Sequence, residues 1–372
     1  MTTLGVPPGP DELEVSLFGP GVGECVVVHM GAGEWFVVDS CIDSATGSPA
    51  ALDYLTAMNI DVSRMVKLVV VTHWHDDHMR GAATLVRRAE TAQFVCSSVL
   101  RVEDFKRFVA ASRSLNTKAH RSSGVDEFAS ILSLLQERRL SGVRREAAGP
   151  IWTSADQLIF RREASPAVPM AEVFALSPSS AAVSRGFHEL ARLMPKHGAA
   201  KRAAVSVEPN ETSLVLSVRF GIAHAILGSD LENGASPSTG WGAVLKTMAR
   251  PATSSHIFKV PHHGSANAYH QPVWTTALVP NVIAVLTPFA RGRQTLPTSA
   301  DLLRMKQHTK DLYCTALRPS RVTFTDSMVQ KTVREATRAF RSRTGPMGHV
   351  RVRVAATSPE PRVELFGAAF AA

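Results

Sequence analysis

The sequence predicts an α/β fold, and three observations carry that expectation. Residues 68–71 form an apolar, β-branched run that ends in a turn, as a strand buried on both faces does. The segment after the turn, residues 79–90, has helical character and leads into a further strand, Gln93–Ser97. At 372 residues, with 45% hydrophobic and 20% charged content, the chain can bury a sizeable core.

The elements follow in order. Residues 1–11, with Pro7, Pro8 and Pro10, read as a loose arm ahead of a single domain over 12–372. Residues 13–18 alternate apolar with polar, the pattern of a half-buried strand. Two runs, 25–29 and 35–39, flank Gly31-Ala32-Gly33 and make a hairpin that leaves Asp39 at a strand end; His29 reads as a packed histidine. Residues 49–58 suit a short helix begun by proline. From about 100 to 206 the β/α rhythm lapses, and this stretch reads as a helical and loop insertion within the domain. Residues 102–111 suit a helix and 116–124 a loop. Val125, Phe128, Ile131, Leu132 and Leu135 then recur at helical spacing. Strands are expected over 172–176, 210–216, 224–227, 257–260 and 281–286, and a helix over 184–193. Thr298 with Asp301 three residues on should cap a helix to about His308. A helix over 328–343 and a hairpin of 350–355 with 362–366 close the chain.

Composition excludes several classes. No apolar run reaches the length of a membrane span, and no basic-then-apolar leader pattern opens the sequence. Cys25, Cys41, Cys96 and Cys314 are scattered, which points to a reducing compartment, the cytoplasm. The GxSxG elbow, the P-loop and the dinucleotide fingerprint are all lacking. A formal charge of +9 suits anionic partners, and basic residues outnumber acidic ones across 101–145, with Arg138, Arg139, Arg144 and Arg145 at its end.

The chemistry concentrates after the strand over 68–71. His73 and His75 are two residues apart, and Asp77 and His78 fall in the next turn. Three imidazoles and a carboxylate within six residues build a poor core but a good site for Zn2+ or a similar divalent ion.

Thr72-His73-Trp74-His75-Asp76-Asp77-His78 resembles the HxHxDH signature of the metallo-β-lactamase fold hydrolases. Three further pieces stand in the right order: Val37-Val38-Asp39-Ser40, Leu227-Gly228-Ser229-Asp230 and Val260-Pro261-His262-His263-Gly264-Ser265. The turn Val22-Gly23-Glu24-Cys25 and Asn210 with Ser213-Leu214-Val215-Leu216 resemble the competence-protein (ComEC-type) branch. Leu296-Pro297 departs from it where a His-Pro is usual. The resemblance covers residues 12–325 and implies a four-layer αββα metallo-β-lactamase sandwich. It implies two divalent ions, Zn2+ first and Mn2+ as the alternative. His73 and His75 would hold one ion, and Asp77 and His78 the other. Asp230 would bridge them, and the final ligand would come from the His262/His263 pair, with both members open. Asp39 would support a ligand histidine, as carboxylates near metal sites do. For the first ion's customary third histidine, only His120, His188 and His197 are available, and each reads as a surface residue.

Two such ions hold a hydroxide and polarise the scissile group, so Asp77, Asp230 and His263 are the candidate catalytic residues. The expected function is a dinuclear phosphodiesterase or nuclease acting on DNA or RNA. The alternatives are a hydrolase of small esters or lactones, and an effector subunit gated by a protein partner.

Overall fold

The protein, a computed structural model, is described over residues 5–19, 23–101, 123–142, 147, 149–193, 209–250, 254–291, 294–316, 328, 331–332, 347–358 and 360–372. The expected helix over 102–111, residues 116–122 of the loop expected over 116–124, and Lys106, Arg107, Arg113, Lys118, His120, Arg121, Arg144, Arg145 and His197 lie outside these residues. So does nearly all of the helix over 328–343. The last two residues of the expected loop, Ser123 and Gly124, instead begin a helix.

In chain order the strands are β1 (Glu12–Gly19), β2 (Cys25–Met30), β3 (Trp35–Val38), β4 (Val66–Val71), β5 (Gln93–Ser97) and β6 (Pro150–Thr153). There follow β7 (Gln157–Arg162), β8 (Ala171–Ala175), β9 (Leu216–Phe220), β10 (Ala223–Leu227), β11 (Ser255–Lys259) and β12 (Leu278–Leu286). The last are β13 (Phe289–Arg291), β14 (Gln294–Leu296), β15 (Leu312–Cys314), β16 (Gly348–Ala355), β17 (Pro361–Phe366) and β18 (Phe370–Ala371). Two eight-stranded sheets result, ordered β17-β16-β1-β2-β3-β4-β5-β6 and β18-β15-β12-β11-β10-β9-β8-β7.

Alternate residues of both sheets interlock between them: Leu13, Val15 and Leu17 of β1 and Leu68 and Val70 of β4 join Leu216, Val218 and Phe220 of β9 in one core. The opposite face of the first sheet is covered by helices Ala50–Ala57, Ala82–Arg88 and Ser123–Leu140. Helices Gly240–Val244, Gln271–Thr276 and Ser299–Lys306 cover that of the second. This is a four-layer αββα sandwich, as the sequence predicts. Because both faces of β4 are covered, it is apolar almost without a break. The strands paired parallel, β3-β4-β5 and β10-β11-β12, all end at one rim. In α/β sheets that rim is where ligands bind.

Several expectations are corrected. Strand β1 is not half-solvated: Glu14 and Ser16 are fully buried, because Arg353, Tyr54 and the helix Ala50–Ala57 close over its polar face. The helix expected over 79–90 breaks at Gly81, whose φ of 82° is in the left-handed region, and resumes as Ala82–Arg88. A strand does not occupy 210–216. Residues Pro209–Thr212 form a 3-10 turn, and Leu214 donates its N–H to Thr72 O beyond β4; the strand starts at Leu216. The capping box of Thr298 and Asp301 is present. The described part of 100–206 contributes β6, β7 and β8 to the two sheets. Residues 5–11 touch the body, with Val6 O accepting from Arg353. No helix among the described residues is long and apolar enough to cross a membrane.

Candidate metal centre

Four strand ends deliver the candidate residues to one rim. β3 delivers Asp39, β4 delivers His73 and His75, β10 delivers Asp230, and β11 delivers the His262-His263 turn. Asp77 and His78 sit in the one-turn helix Asp76–Met79. Three of these residues have left-handed backbones that a strand would not supply: Asp39 (φ 60°), His262 (φ 44°) and His263 (φ 54°).

Asp39 organises the first part. Its Oδ1 accepts from Thr72 N at 2.8 Å and its Oδ2 from Thr72 Oγ1 at 2.7 Å. The same Oδ2 lies 2.7 Å from His78 Nδ1, which donates to it. Thr72 Oγ1 is in turn 3.0 Å from His73 Nδ1. One buried carboxylate thus fixes two imidazoles, one directly and one through a hydroxyl. Each is left presenting Nε2, the arrangement metal-bound histidines adopt. His263 repeats it by another route, with Nδ1 3.1 Å from Thr287 O.

The presented atoms converge. His78 Nε2 is 3.2 Å from Asp230 Oδ2, without hydrogen-bond alignment, and 3.8 Å from Asp77 Oδ2. His263 Nε2 is 3.5 Å from Asp77 Oδ2 and 3.6 Å from Asp230 Oδ2. The ligand atoms of Asp77, His78, Asp230 and His263 all lie within 4.8 Å of one another. Yet His78 Nε2, His263 Nε2 and Asp230 Oδ1 are buried with no hydrogen-bond partner. Beside them, His73 Nε2 and His75 Nδ1 are 3.1 Å apart. Two such nitrogens need a proton or a cation between them. Buried polar groups without partners are rare and costly; here they are nitrogen and oxygen donors of the kind divalent ions take, so the residues fit a metal site.

Electrostatics agree. Burial pushes His78 down, but Asp230, Asp39 and Asp77 outweigh it and hold its pKa well above the usual imidazole value. Burial pushes Asp230 up, but His78 and His263 hold it well below the carboxylate range. Asp77 is lowered in the same way, by His78 and His263 against its burial. Burial dominates at His73, which is pushed far down with help from His78 and His75, and at Asp39, which is raised. The carboxylates therefore draw positive charge into the rim.

The structure separates the histidine pair. His263 joins the cluster; His262 turns away, with Nδ1 3.1 Å from Glu232 Oε1 and 3.2 Å from Asn267 Oδ1, and Nε2 3.3 Å from Asn210 Nδ2. His188 is exposed on the helix Ser180–Leu193, bonded to Ser184 O. Arg138 is not part of a basic rim: it is buried and donates to Val86 O and Ala89 O at the end of the helix Ala82–Arg88. Sequence reasoning missed Glu232, Glu24 and Lys259. A signal existed for Lys259, a charged residue inside an otherwise apolar strand run.

Residues 18–113 match the model of the metallo-beta-lactamase superfamily. The fold is that of the metallo-β-lactamase superfamily. That superfamily includes metal-dependent hydrolases. The matched model is that of the superfamily as a whole and does not separate out the competence-protein branch. No curated protein matches the sequence. Among solved structures, the metallo-β-lactamase fold protein YhfI from Bacillus subtilis is 11% identical, over 84% of this chain and 98% of its own, with a TM-score of 0.40. The metallo-β-lactamase SMB-1, bound to 2-mercaptoethanesulfonate, is 13% identical over 73% of this chain and 86% of its own, with a TM-score of 0.32. The short form of human tRNase Z is 12% identical over 66% of this chain and 76% of its own, with a TM-score of 0.30.

Proposed function

We propose that the protein is a dinuclear metal-dependent hydrolase of phosphodiesters, with DNA or RNA as the substrate class. The observation that carries this is the convergence of ligand atoms from Asp77, His78, Asp230 and His263 within 4.8 Å of one another, with His78 Nε2 and His263 Nε2 buried and without hydrogen-bond partners. Asp77, His78, Asp230 and His263 would hold one divalent ion. His73 and His75 would hold the other, with Asp230 reaching between the two. A pair of such ions activates water and polarises the scissile group, so no Ser or Cys nucleophile is required. Asp39 engages His78 Nδ1 directly and, through Thr72 Oγ1, His73 Nδ1, which would leave both Nε2 atoms free to bind the ions. His262, partly exposed and braced by Glu232 and Asn210, stands at the rim where it can contact the substrate. Its pKa is raised: burial lowers it, but the bond to Glu232 and the charge of Asp230 prevail.

The phosphodiester class is supported by the +9 charge. The test joins elemental analysis of the purified protein to assays on single- and double-stranded DNA, RNA, bis(p-nitrophenyl) phosphate and a simple lactone, repeated at rising salt. About two divalent ions per chain and salt-sensitive cleavage of a polymer are expected, since polyanion binding releases counterions. Turnover of the lactone alone would replace this reading with a small-ester hydrolase. Metal without any turnover would favour an effector subunit that waits for a partner.

A further inference from the structure

We propose that Lys259 is a positioning residue for Asp230, held in that role by Glu24; the inference rests on the metal reading above. Lys259 ends β11 and is 1% exposed, while Glu24 is 2% exposed. Burying a charged pair this completely costs more desolvation than its attraction usually returns, so it needs a reason beyond general stability.

The contacts of Lys259 suggest one. Its Nζ donates to Ser229 O at 2.8 Å, and its backbone O accepts from Gly228 N at 3.0 Å. It therefore grips both residues of the turn that aims Asp230. Ser229 lies at φ 47°, a conformation serine seldom adopts unaided. A side chain on Gly228 would strike Lys259 O at 2.7 Å, which lets β11 run this close to the turn. By contrast, Lys259 Nζ stops 3.8 Å from Asp230 Oδ1. A lysine there to neutralise Asp230 would bond to it. This one bonds to the main chain behind it and leaves Oδ1 without a partner.

Glu24 holds the other side of the ammonium as an ion pair. Its second oxygen accepts from Thr287 Oγ1, and Thr287 O is the atom that fixes His263 Nδ1. The pair therefore lies beneath both the Asp230 turn and the carbonyl that aims His263. A cation in this position repels a divalent ion. Orientation and charge thus push metal affinity in opposite directions, and the sign of the change separates them.

The experiment titrates metal-free protein with Zn2+ by calorimetry for the native sequence, Lys259→Met, Glu24→Gln and the double variant, with melting of each metal-free form alongside. Lys259→Met is expected to weaken Zn2+ binding by about ten- to hundredfold, the range seen when groups that orient metal ligands are removed. Glu24→Gln should weaken it less, and the double variant should bind no worse than Lys259→Met alone. Unchanged or tighter binding in Lys259→Met, or additive losses in the double variant, would overturn the proposal. Should Lys259→Met fail to fold, Glu24→Gln decides: affinity equal to the native protein rejects the role. Absence of Zn2+ binding by the native protein would instead defeat the metal reading itself, and this inference with it.

Discussion

Two clusters of buried charged side chains among the described residues differ in construction. Under the helix Ala50–Ala57, Glu14 bonds to Arg353 at 2.8 Å, to Tyr54 OH at 2.6 Å and to Ser16 Oγ at 2.7 Å, while Arg351 pairs with Glu364 at 2.9 Å. Each carboxylate there meets a guanidinium. The orphaned side chain of that cluster, His349, lies stacked between Phe18 and Phe366. At the strand rim the same residue classes leave several metal-binding atoms facing one point. A buried network that satisfies itself is structure; one whose loose ends converge is a candidate binding site. Burial and charge alone do not tell the two apart, but the direction of the orphaned atoms does.

That contrast can be broken by substitution. The largest expected effect is at the rim: Asp230→Asn or His78→Ala should lose bound metal and abolish hydrolysis while leaving a folded chain. Elemental analysis beside circular dichroism checks this, and full metal content in Asp230→Asn would remove it from the bridging role. Next, Arg353→Met in the closed cluster should cost about 3–5 kcal/mol of stability, because it strands Glu14. Denaturant melts would register the loss while metal content stays unchanged.

A smaller effect sharpens the same boundary. Burial and the charges of Arg351 and Arg353 hold the His349 pKa well below its ordinary 6.5. The unfolded chain therefore takes up a proton that the native state refuses, so the stability due to neutral His349 is complete above about pH 6.5 and falls below it. His349→Phe, which fits the aromatic stack, should reduce the acid loss of metal-free protein by up to about 1.4 kcal/mol per pH unit. Unfolding free energies at several pH values between 7.5 and 5 would measure it, and an unchanged slope would argue against a neutral buried imidazole. The smallest effect concerns neighbours on one helix. Arg139→Glu on the exposed side should weaken salt-sensitive polymer binding and change stability by about 0.5 kcal/mol or less. Arg138→Ala should do the reverse, destabilising the fold by stranding Val86 O and Ala89 O. Filter binding at two salt concentrations with parallel melts would separate the pair.

Much of the rim was legible because its candidate ligands sit at the ends of apolar strand runs: His73, His75 and His78 lie within one turn, and Asp230 and His263 follow β10 and β11. The choice between His262 and His263 was not. Adjacent left-handed residues send their side chains apart, and only Glu232 and Thr287, brought in by the fold, say which goes where. The same limit explains β1. Its alternation reads as solvent on one side, but the partner that buries Glu14 is 339 residues away. Arg138 misleads for a related reason, since a guanidinium capping a helix end and one facing solvent look alike in sequence.

The helix Ser123–Leu140 and the histidine turn cap each other. Asp76 Oδ1 accepts from Gly124 N at 2.8 Å, while Glu127 accepts from Gly81 N at 3.1 Å and Ala83 N at 2.9 Å. These bonds join residues 44 to 48 positions apart, so a motif that is compact on paper is held in shape by a helix well outside it. In the full chain, Asp76→Ala with Glu127→Ala should weaken Zn2+ binding while leaving all the candidate ligands in place, because the turn loses the helix that clamps it; unchanged affinity would show that the clamp does not shape the turn.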